Sequence, residues 1–153
     1  MQTIIDKLTS LGFNPQKPLL VRKEISVEEK GKRYQLKMVP ERSCAAYQVD
    51  GYIIKEGNKC DKLVLVETAV NSWTEIFVEL KGRNIEHAIK QLEETIKNQL
   101  FKHSTIVDRR ARIVGQSIPR CSGNSVMERA RTKFFSTYKC DLKAMSQVYK
   151  ENI

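Results

Sequence analysis

The chain has 153 residues, with 27 Lys and Arg against 18 Asp and Glu, and a formal net charge of +9 at pH 7. Its length predicts a single domain, 1–153, and no apolar run approaches the roughly 18 residues that a membrane-spanning helix needs. Because Gly and Pro are few, the composition excludes collagen-like and low-complexity chains. The N-terminus lacks the pattern of a secretory signal. We therefore expect a cytoplasmic protein with no membrane partner.

The first 39 residues are predicted to form an extension made of a helix and a hairpin. Residues 4–11 carry apolar side chains at helical spacing, and Gly12 ends the pattern. Leu19–Ile25 and Arg33–Val39 are typical of strands, and the polar residues between them predict a turn.

A core is predicted at residues 40–138, followed by a tail, 139–153, that carries a short helix. In chain order the core has a short helix at 40–47, strands at 52–55, 60–67 and 74–81, a helix at 85–101, a strand at 111–118 and a helix at 126–138. The helix between the last two strands is long enough to join them in parallel. We expect an α/β (α+β) fold with a central mixed β-sheet flanked by helices.

Positive charge is concentrated in one part of the chain. Residues 102–150 contain eleven Lys or Arg and three acids, which leaves +8 of the total +9 in this segment. A one-sided positive field favours a polyanionic partner, nucleic acid first, although solubility alone would also account for it. The residues predicted to contact phosphate are Lys102, Arg109, Arg110, Arg112, Arg129, Arg131 and Lys133.

The tripeptide Glu79-Leu80-Lys81 ends a predicted strand. Side chains alternate along a strand, so Glu79 and Lys81 share one face. Asp61 begins the neighbouring strand and approaches Glu79 if the two strands pair. Two carboxylates at a strand end suit Mg²⁺ or Mn²⁺, and a lysine beside them would position a water and stabilise the developing charge. An ordinary solvated strand face is the alternative for these residues.

These residues carry a resemblance to a known family. The segments Gly-Asn-Lys-Cys-Asp61 and Ile-Phe-Val-Glu79-Leu-Lys81-Gly, followed by a helix with Ala88 and Gln91-Leu92, resemble the PD-(D/E)XK nuclease superfamily over residues 40–138. The resemblance implies a restriction-endonuclease-like αβββαβ core, with the N-terminal hairpin as an extension. It also implies an Mg²⁺-dependent phosphodiesterase that acts on DNA in preference to RNA.

The resemblance assigns roles to four residues of the motif. It implies that Asp61 and Glu79 are metal ligands, that the backbone carbonyl of Leu80 is a further ligand, and that Lys81 is the catalytic lysine. The alternative for Asp61 is a residue at the end of a hairpin.

Two further residues match positions that only part of the family shares. Glu41 matches an acid on the preceding helix, and a Glu in the first turn of a helix is also favoured by the helix dipole. Gln91 matches the Gln of RecB-like nucleases, with a surface position as the alternative. The chain departs from the pattern at Cys60, where many members have Pro, and at Thr95, where RecB-like members have Tyr.

The first hypothesis is therefore a metal-dependent endonuclease, a homodimer or the cutting subunit of a larger complex, with branched and foreign DNA among its candidate substrates. The second is a non-catalytic nucleic-acid-binding protein that uses the basic C-terminal third. The third is a protein-interaction module, for instance an accessory protein of a phage or defence system. Four widely spaced cysteines and two histidines do not form a zinc pattern, and free thiols are expected.

Overall fold

A computed structural model describes residues 2–82, 84–116 and 125–153, and of Lys81 and Ser125 it describes the backbone alone. The elements in chain order are α1 (Ile4–Ser10), β1 (Lys17–Glu29), β2 (Lys32–Gln48), β3 (Lys62–Ala69), β4 (Ser72–Gly82), α2 (Ile85–Lys97), a 3₁₀ turn (Gln99–Phe101), β5 (Ile106–Gly115), α3 (Ser125–Tyr138), β6 (Cys140–Ser146) and β7 (Val148–Asn152).

The described strands form one mixed sheet in the order β1-β2-β3-β4-β5-β6, and β7 pairs with β2. The pairs β1–β2, β2–β3 and β3–β4 are antiparallel, whereas the pairs β4–β5, β5–β6 and β2–β7 are parallel. The pairs β4–β5 and β5–β6 are joined through α2 and α3, as βαβ crossovers require. This result confirms the predicted α/β class, the mixed sheet and the β-α-β unit from β4 to β5.

Apolar side chains on the two faces of the sheet enter two separate cores. On one face, odd-numbered residues such as Leu63 and Phe77 pack with Leu92 of α2 and Phe134 of α3. On the other face, even-numbered residues such as Val78 pack against the N-terminal hairpin. Because β2 is long, its first half pairs with β7 and its second half with β3. The hairpin therefore covers one face and the helices cover the other.

Three predicted elements are wrong. Residues 40–47, predicted as a helix, belong to β2, residues 52–55 form turns with an isolated bridge, and residues 141–150 are strands β6 and β7. Cys44–Tyr47 is buried on both faces of the sheet. Such a strand shows no alternation of apolar and polar residues, so its sequence pattern does not differ from that of a short buried helix.

The other predicted elements are confirmed with small shifts of their bounds. The first helix, the hairpin, the strands β3 and β4, and the helices α2 and α3 lie where the sequence placed them, and β5 begins five residues earlier. Cys44, Cys60 and Cys140 are free and buried, whereas Cys121 lies outside the described residues. Among the residues described, no helix is long and apolar enough to cross a membrane.

Candidate metal and nucleic-acid site

Asp61 and Glu79 lie near each other at one end of the sheet. The pairing of β3 with β4 runs from Ala69 opposite Ser72 to Lys62 opposite Val78, and Asp61 directly precedes the paired residues. The regular register ends there, because the N–H of Asp61 donates toward β4 and its carbonyl accepts an N–H from the β2 side. Glu79 lies on the face that the helices cover, since Phe77 lies on it.

Two hydrogen bonds to β4 hold Asp61 against the residues on either side of Glu79. The backbone N–H of Asp61 donates to the carbonyl of Val78 at 3.1 Å, and its Oδ2 accepts the N–H of Leu80 at 2.7 Å. A strand residue directs its N–H and C=O to the same side, so the carbonyl of Leu80 is also turned toward the Asp61 side. The three predicted ligands therefore lie together.

Both carboxylates are buried. The exposed fraction is 2% for Asp61 and 3% for Glu79. Their negative field reaches the neighbouring thiol of Cys60, whose pKa is raised well above its ordinary value by burial first and then by Glu79 and Asp61. Two neighbouring carboxylates provide negative charge that favours a bound cation.

Helix α2 fixes the segment that leads into Asp61. The Gln91 side-chain amide donates to the carbonyl of Lys59 at 3.1 Å, and the Thr95 hydroxyl accepts the N–H of Cys60 at 2.9 Å. The same hydroxyl donates to the carbonyl of Gln91 at 2.8 Å. Gln91 and Thr95 thus both bind the segment that precedes Asp61.

Glu41 is not brought to this site. Gln48 pairs with Lys62, and Glu41 lies seven residues back along β2, about 20 Å at the usual rise per strand residue. Glu41 is exposed and borders a shallow depression with Val21, Glu67 and Val70. Because 40–47 is a strand and not a helix, the position predicted for an additional catalytic acid does not exist there. The side chain of Lys81, the predicted catalytic lysine, lies outside the described residues.

A second buried acid, Glu75, lies on the same face of β4, and sequence analysis did not single it out. Its Oε1 accepts from Nε of Arg109 at 3.0 Å, and the Arg109 Nη2 donates to the carbonyl of Ile96 near the end of α2 at 2.8 Å. Burial raises the pKa of Glu75 to about 7, against the opposing effect of Arg109. Arg109 is therefore engaged inside the protein and is not a surface contact for phosphate.

The other two arginines of β5 also make internal ion pairs. Arg112 is 1% exposed and binds both Glu151 and Asp141 at 3.0 Å. Arg110 lies 3.2 Å from Asp108 and 3.4 Å from Glu151. The prediction that Arg112 contacts phosphate is wrong, because a buried guanidinium cannot reach a ligand outside. These pairs instead join β5 to β6 and β7.

The cations of α3 face solvent. Arg129, Arg131 and Lys133 are exposed, as is Lys102 after the 3₁₀ turn. Arg131 lies 3.5 Å from Glu128, and Lys133 lies 2.8 Å from Glu93 of α2. Exposed ion pairs of this kind are weak, so both side chains remain available to a polyanion.

The oxygen atoms of this site suit a hard divalent cation that takes few of its ligands from the protein. Across residues 2–82, 84–116 and 125–153, no group of three or more His, Cys, Asp and Glu is placed to hold a metal. Two carboxylates and a backbone carbonyl remain, which is the kind of oxygen set that Mg²⁺ uses when waters and substrate phosphates complete its coordination. The same set does not suit zinc, which prefers nitrogen and sulfur ligands.

No family model, no curated protein and no solved structure matches this chain.

Proposed function

We propose that this protein is a divalent-metal-dependent nuclease of the PD-(D/E)XK type that hydrolyses phosphodiester bonds in DNA. The observation that carries the proposal is the pair of buried carboxylates, Asp61 and Glu79, at the strand end that continues into Lys81. Two carboxylates in one site supply the kind of oxygen ligands that Mg²⁺ prefers.

The order of elements supports the same proposal. Strands β2, β3 and β4, then α2, then β5 supply three strands, a helix and a strand, with one carboxylate directly before the second strand and the other near the end of the third. Helix α2 contacts the segment before Asp61 through Gln91 and Thr95. In this reading β1 and the first half of β2 form the N-terminal hairpin extension.

Asp61, Glu79 and the Leu80 carbonyl would hold Mg²⁺ or Mn²⁺. When bound, the cation supplies positive charge that neutralises the scissile phosphate and lowers the pKa of a water. Asp61 is oriented for this role by the Leu80 N–H, and Lys81 would position the attacking water and stabilise the charge of the transition state. The exposed cations of α3 would hold the phosphate backbone without reading sequence.

The test is a cleavage panel on linear duplex, branched and single-stranded DNA, and on RNA, with Mg²⁺ or Mn²⁺ and with EDTA. Cleavage is expected with either metal and is lost in EDTA, in Glu79→Gln and in Lys81→Ala. Exposed residues of α2 give matched controls, Glu94→Gln and Lys90→Ala, and both should cut like the parent. A Glu79→Gln variant that cuts at the parental rate would show that the site is misassigned.

The exposed cations of α3 favour a second candidate, a nucleic-acid-binding protein without catalysis, that serves as an accessory subunit. Arg129, Arg131 and Lys133 follow one helix and face solvent. Under this alternative, salt-sensitive DNA binding persists in Glu79→Gln, and no substrate of the panel is cut with any metal.

A further inference from the structure

An open groove of about 640 Å³ lies between α3 and the C-terminal strands. One wall is the side of α3 that carries Arg131 and Phe135, and the floor is strand β6 from Cys140 to Ala144. Tyr149 of β7 closes the other side. Among the described strands, β6 pairs only with β5 and ends the sheet path, so this groove runs along a sheet edge.

The groove combines an exposed aromatic ring with cations. Phe135 is 68% exposed, although its neighbour Phe134 is fully buried in the core. Arg131 precedes Phe135 by one helical turn, so the two share a side of α3, and Lys143 lies across from them on β6. The acid among the lining residues, Asp141, already binds Arg112 at 3.0 Å and lies 3.8 Å from Lys143.

The groove reaches the level of the carboxylate pair. Glu79 lies beside Ile113 in the β4–β5 register, and Ile113 lies beside Ala144 in the β5–β6 register. Ala144 and Glu79 thus lie at the same level along the strand direction. Ala144 is two strands away from Glu79, a distance of about 10 Å at the usual strand spacing. A chain that follows the groove therefore ends close to the candidate site.

We propose that this groove binds a single-stranded segment of DNA that leads into the candidate site, with a base stacked on Phe135 and phosphates on Arg131 and Lys143. The proposal rests on the proposed function and names its substrate class, a DNA with an unpaired flank. Aromatic stacking with a basic track is the usual way in which proteins hold single strands without reading sequence.

Unpaired DNA fits the groove better than the other polyanions. The bases of a duplex are stacked on one another, and a ring on a helix surface cannot reach their faces without flipping. An acidic peptide would satisfy Arg131 and Lys143 but would leave the exposed face of Phe135 without an aromatic partner. Stacking on Phe135 therefore separates a single strand from both alternatives.

The test measures binding of fluorescein-labelled dT15 by fluorescence anisotropy in EDTA, so that no cleavage takes place. Phe135→Leu is expected to weaken binding about fivefold or more, and Phe135→Trp to preserve it. Lys143→Ala and Arg131→Ala should each weaken binding and lower the slope of affinity against salt by about one. Val70→Ala and Lys37→Ala, at exposed positions outside the groove, serve as matched controls and should bind like the parent.

Three results would overturn the groove assignment: equal binding of dT15 by Phe135→Leu and the parent, equal affinity for a 15-base-pair duplex and dT15, or displacement of dT15 by polyglutamate as effective as by unlabelled dT15. The last result would indicate a site that recognises charge alone, as for an acidic peptide. Because binding is measured without metal, loss of cleavage in the Glu79→Gln panel would not affect this result, and a failure here would leave the cleavage test intact.

Discussion

Two buried glutamates lie four residues apart on the same face of β4, and they meet opposite kinds of neighbours. Glu75 accepts a hydrogen bond from Arg109, which also binds the end of α2. Glu79 lies near Asp61, a second acid that is held in place by the Leu80 N–H. The strand thus carries one acid that binds an arginine and one acid that belongs to the site proposed for the metal.

Glu75 is a structural acid, and Glu79 is a candidate functional acid. An acid with an internal arginine is neutralised by the protein itself, and its removal affects folding. An acid that binds a metal ion acts through that ion, and its removal affects metal binding and the chemistry that the metal supplies. We therefore expect Glu75 to determine stability and Glu79 to determine activity.

The largest expected effect is on cleavage. Glu79→Gln should lower the Mg²⁺-dependent cleavage rate by at least about 100-fold, because an amide is neutral and is a much weaker ligand for a hard cation. Glu75→Gln should retain the parental rate per folded molecule. Initial rates on the best substrate of the panel measure both. If the two variants lose activity equally, Glu79 and Glu75 do not differ in their roles.

Removal of the Arg109 guanidinium should affect stability and not DNA affinity. Arg109→Met leaves Glu75 buried without its cation, which is expected to cost about 3 kcal/mol in the free energy of unfolding at pH 8. Urea denaturation measures this value. The double variant Glu75→Gln/Arg109→Met should recover most of the loss, and an unchanged stability in Arg109→Met would show that the ion pair contributes nothing.

Glu75 should also give the protein a characteristic dependence of stability on pH. Its pKa is raised from 4.5 to about 7 in the folded state, so the folded protein holds this proton more tightly than the unfolded chain. The free energy of unfolding should therefore fall as pH rises from about 4.5 to about 7, by up to about 3 kcal/mol. Glu75→Gln should show a flatter profile over this range; parallel profiles would rule out Glu75 as the cause.

A smaller effect is expected at Thr95, which holds the segment before Asp61. Thr95→Val removes the acceptor of the buried Cys60 N–H, at a cost of about 1–2 kcal/mol in stability. Cleavage should fall about tenfold if this contact positions Asp61. Thr95→Ser keeps the hydroxyl and is the control for both readouts. If Thr95→Ser loses as much stability and cleavage activity as Thr95→Val, the cause is packing and not the hydrogen bond.

The smallest effect is expected at the far end of β2. Glu41→Ala should change the cleavage rate less than twofold, because Glu41 is exposed and about 20 Å along the strand from the level of Asp61. The same cleavage assay measures this, with Glu79→Gln as the positive control. A large loss in Glu41→Ala would place the active site elsewhere.

The sequence was sufficient for the elements and residues that depend on local pattern. Alternation along 74–81 correctly placed Ile76, Val78 and Leu80 on one face and Glu79 on the other, and the apolar stripe of α2 was equally clear. Residues 40–47 and 141–150 were assigned to helices because burial on both faces and tertiary pairing leave no local signal. For the same reason, the predicted position of Glu41 on a short helix was wrong.

Long-range pairs of charged residues could not be predicted from sequence. A basic run such as Arg109, Arg110 and Arg112 looks like a surface for phosphate, but the acids that engage it, Glu75 and Glu151, lie 34 and 39 or more residues away. Only the fold brings them together. The charge of the C-terminal third is therefore partly internal, and its solvent-facing part includes the cations of α3 and exposed lysines such as Lys102 and Lys143.

The most direct test of the central claim, that Asp61 and Glu79 together bind a divalent cation, is calorimetric titration of Mn²⁺ into the folded protein and three variants. The parent and Glu75→Gln should bind Mn²⁺ with the same affinity, and Asp61→Asn and Glu79→Gln should each lose most of that affinity. Equal Mn²⁺ affinity in all four proteins, or no binding by the parent, would contradict the account.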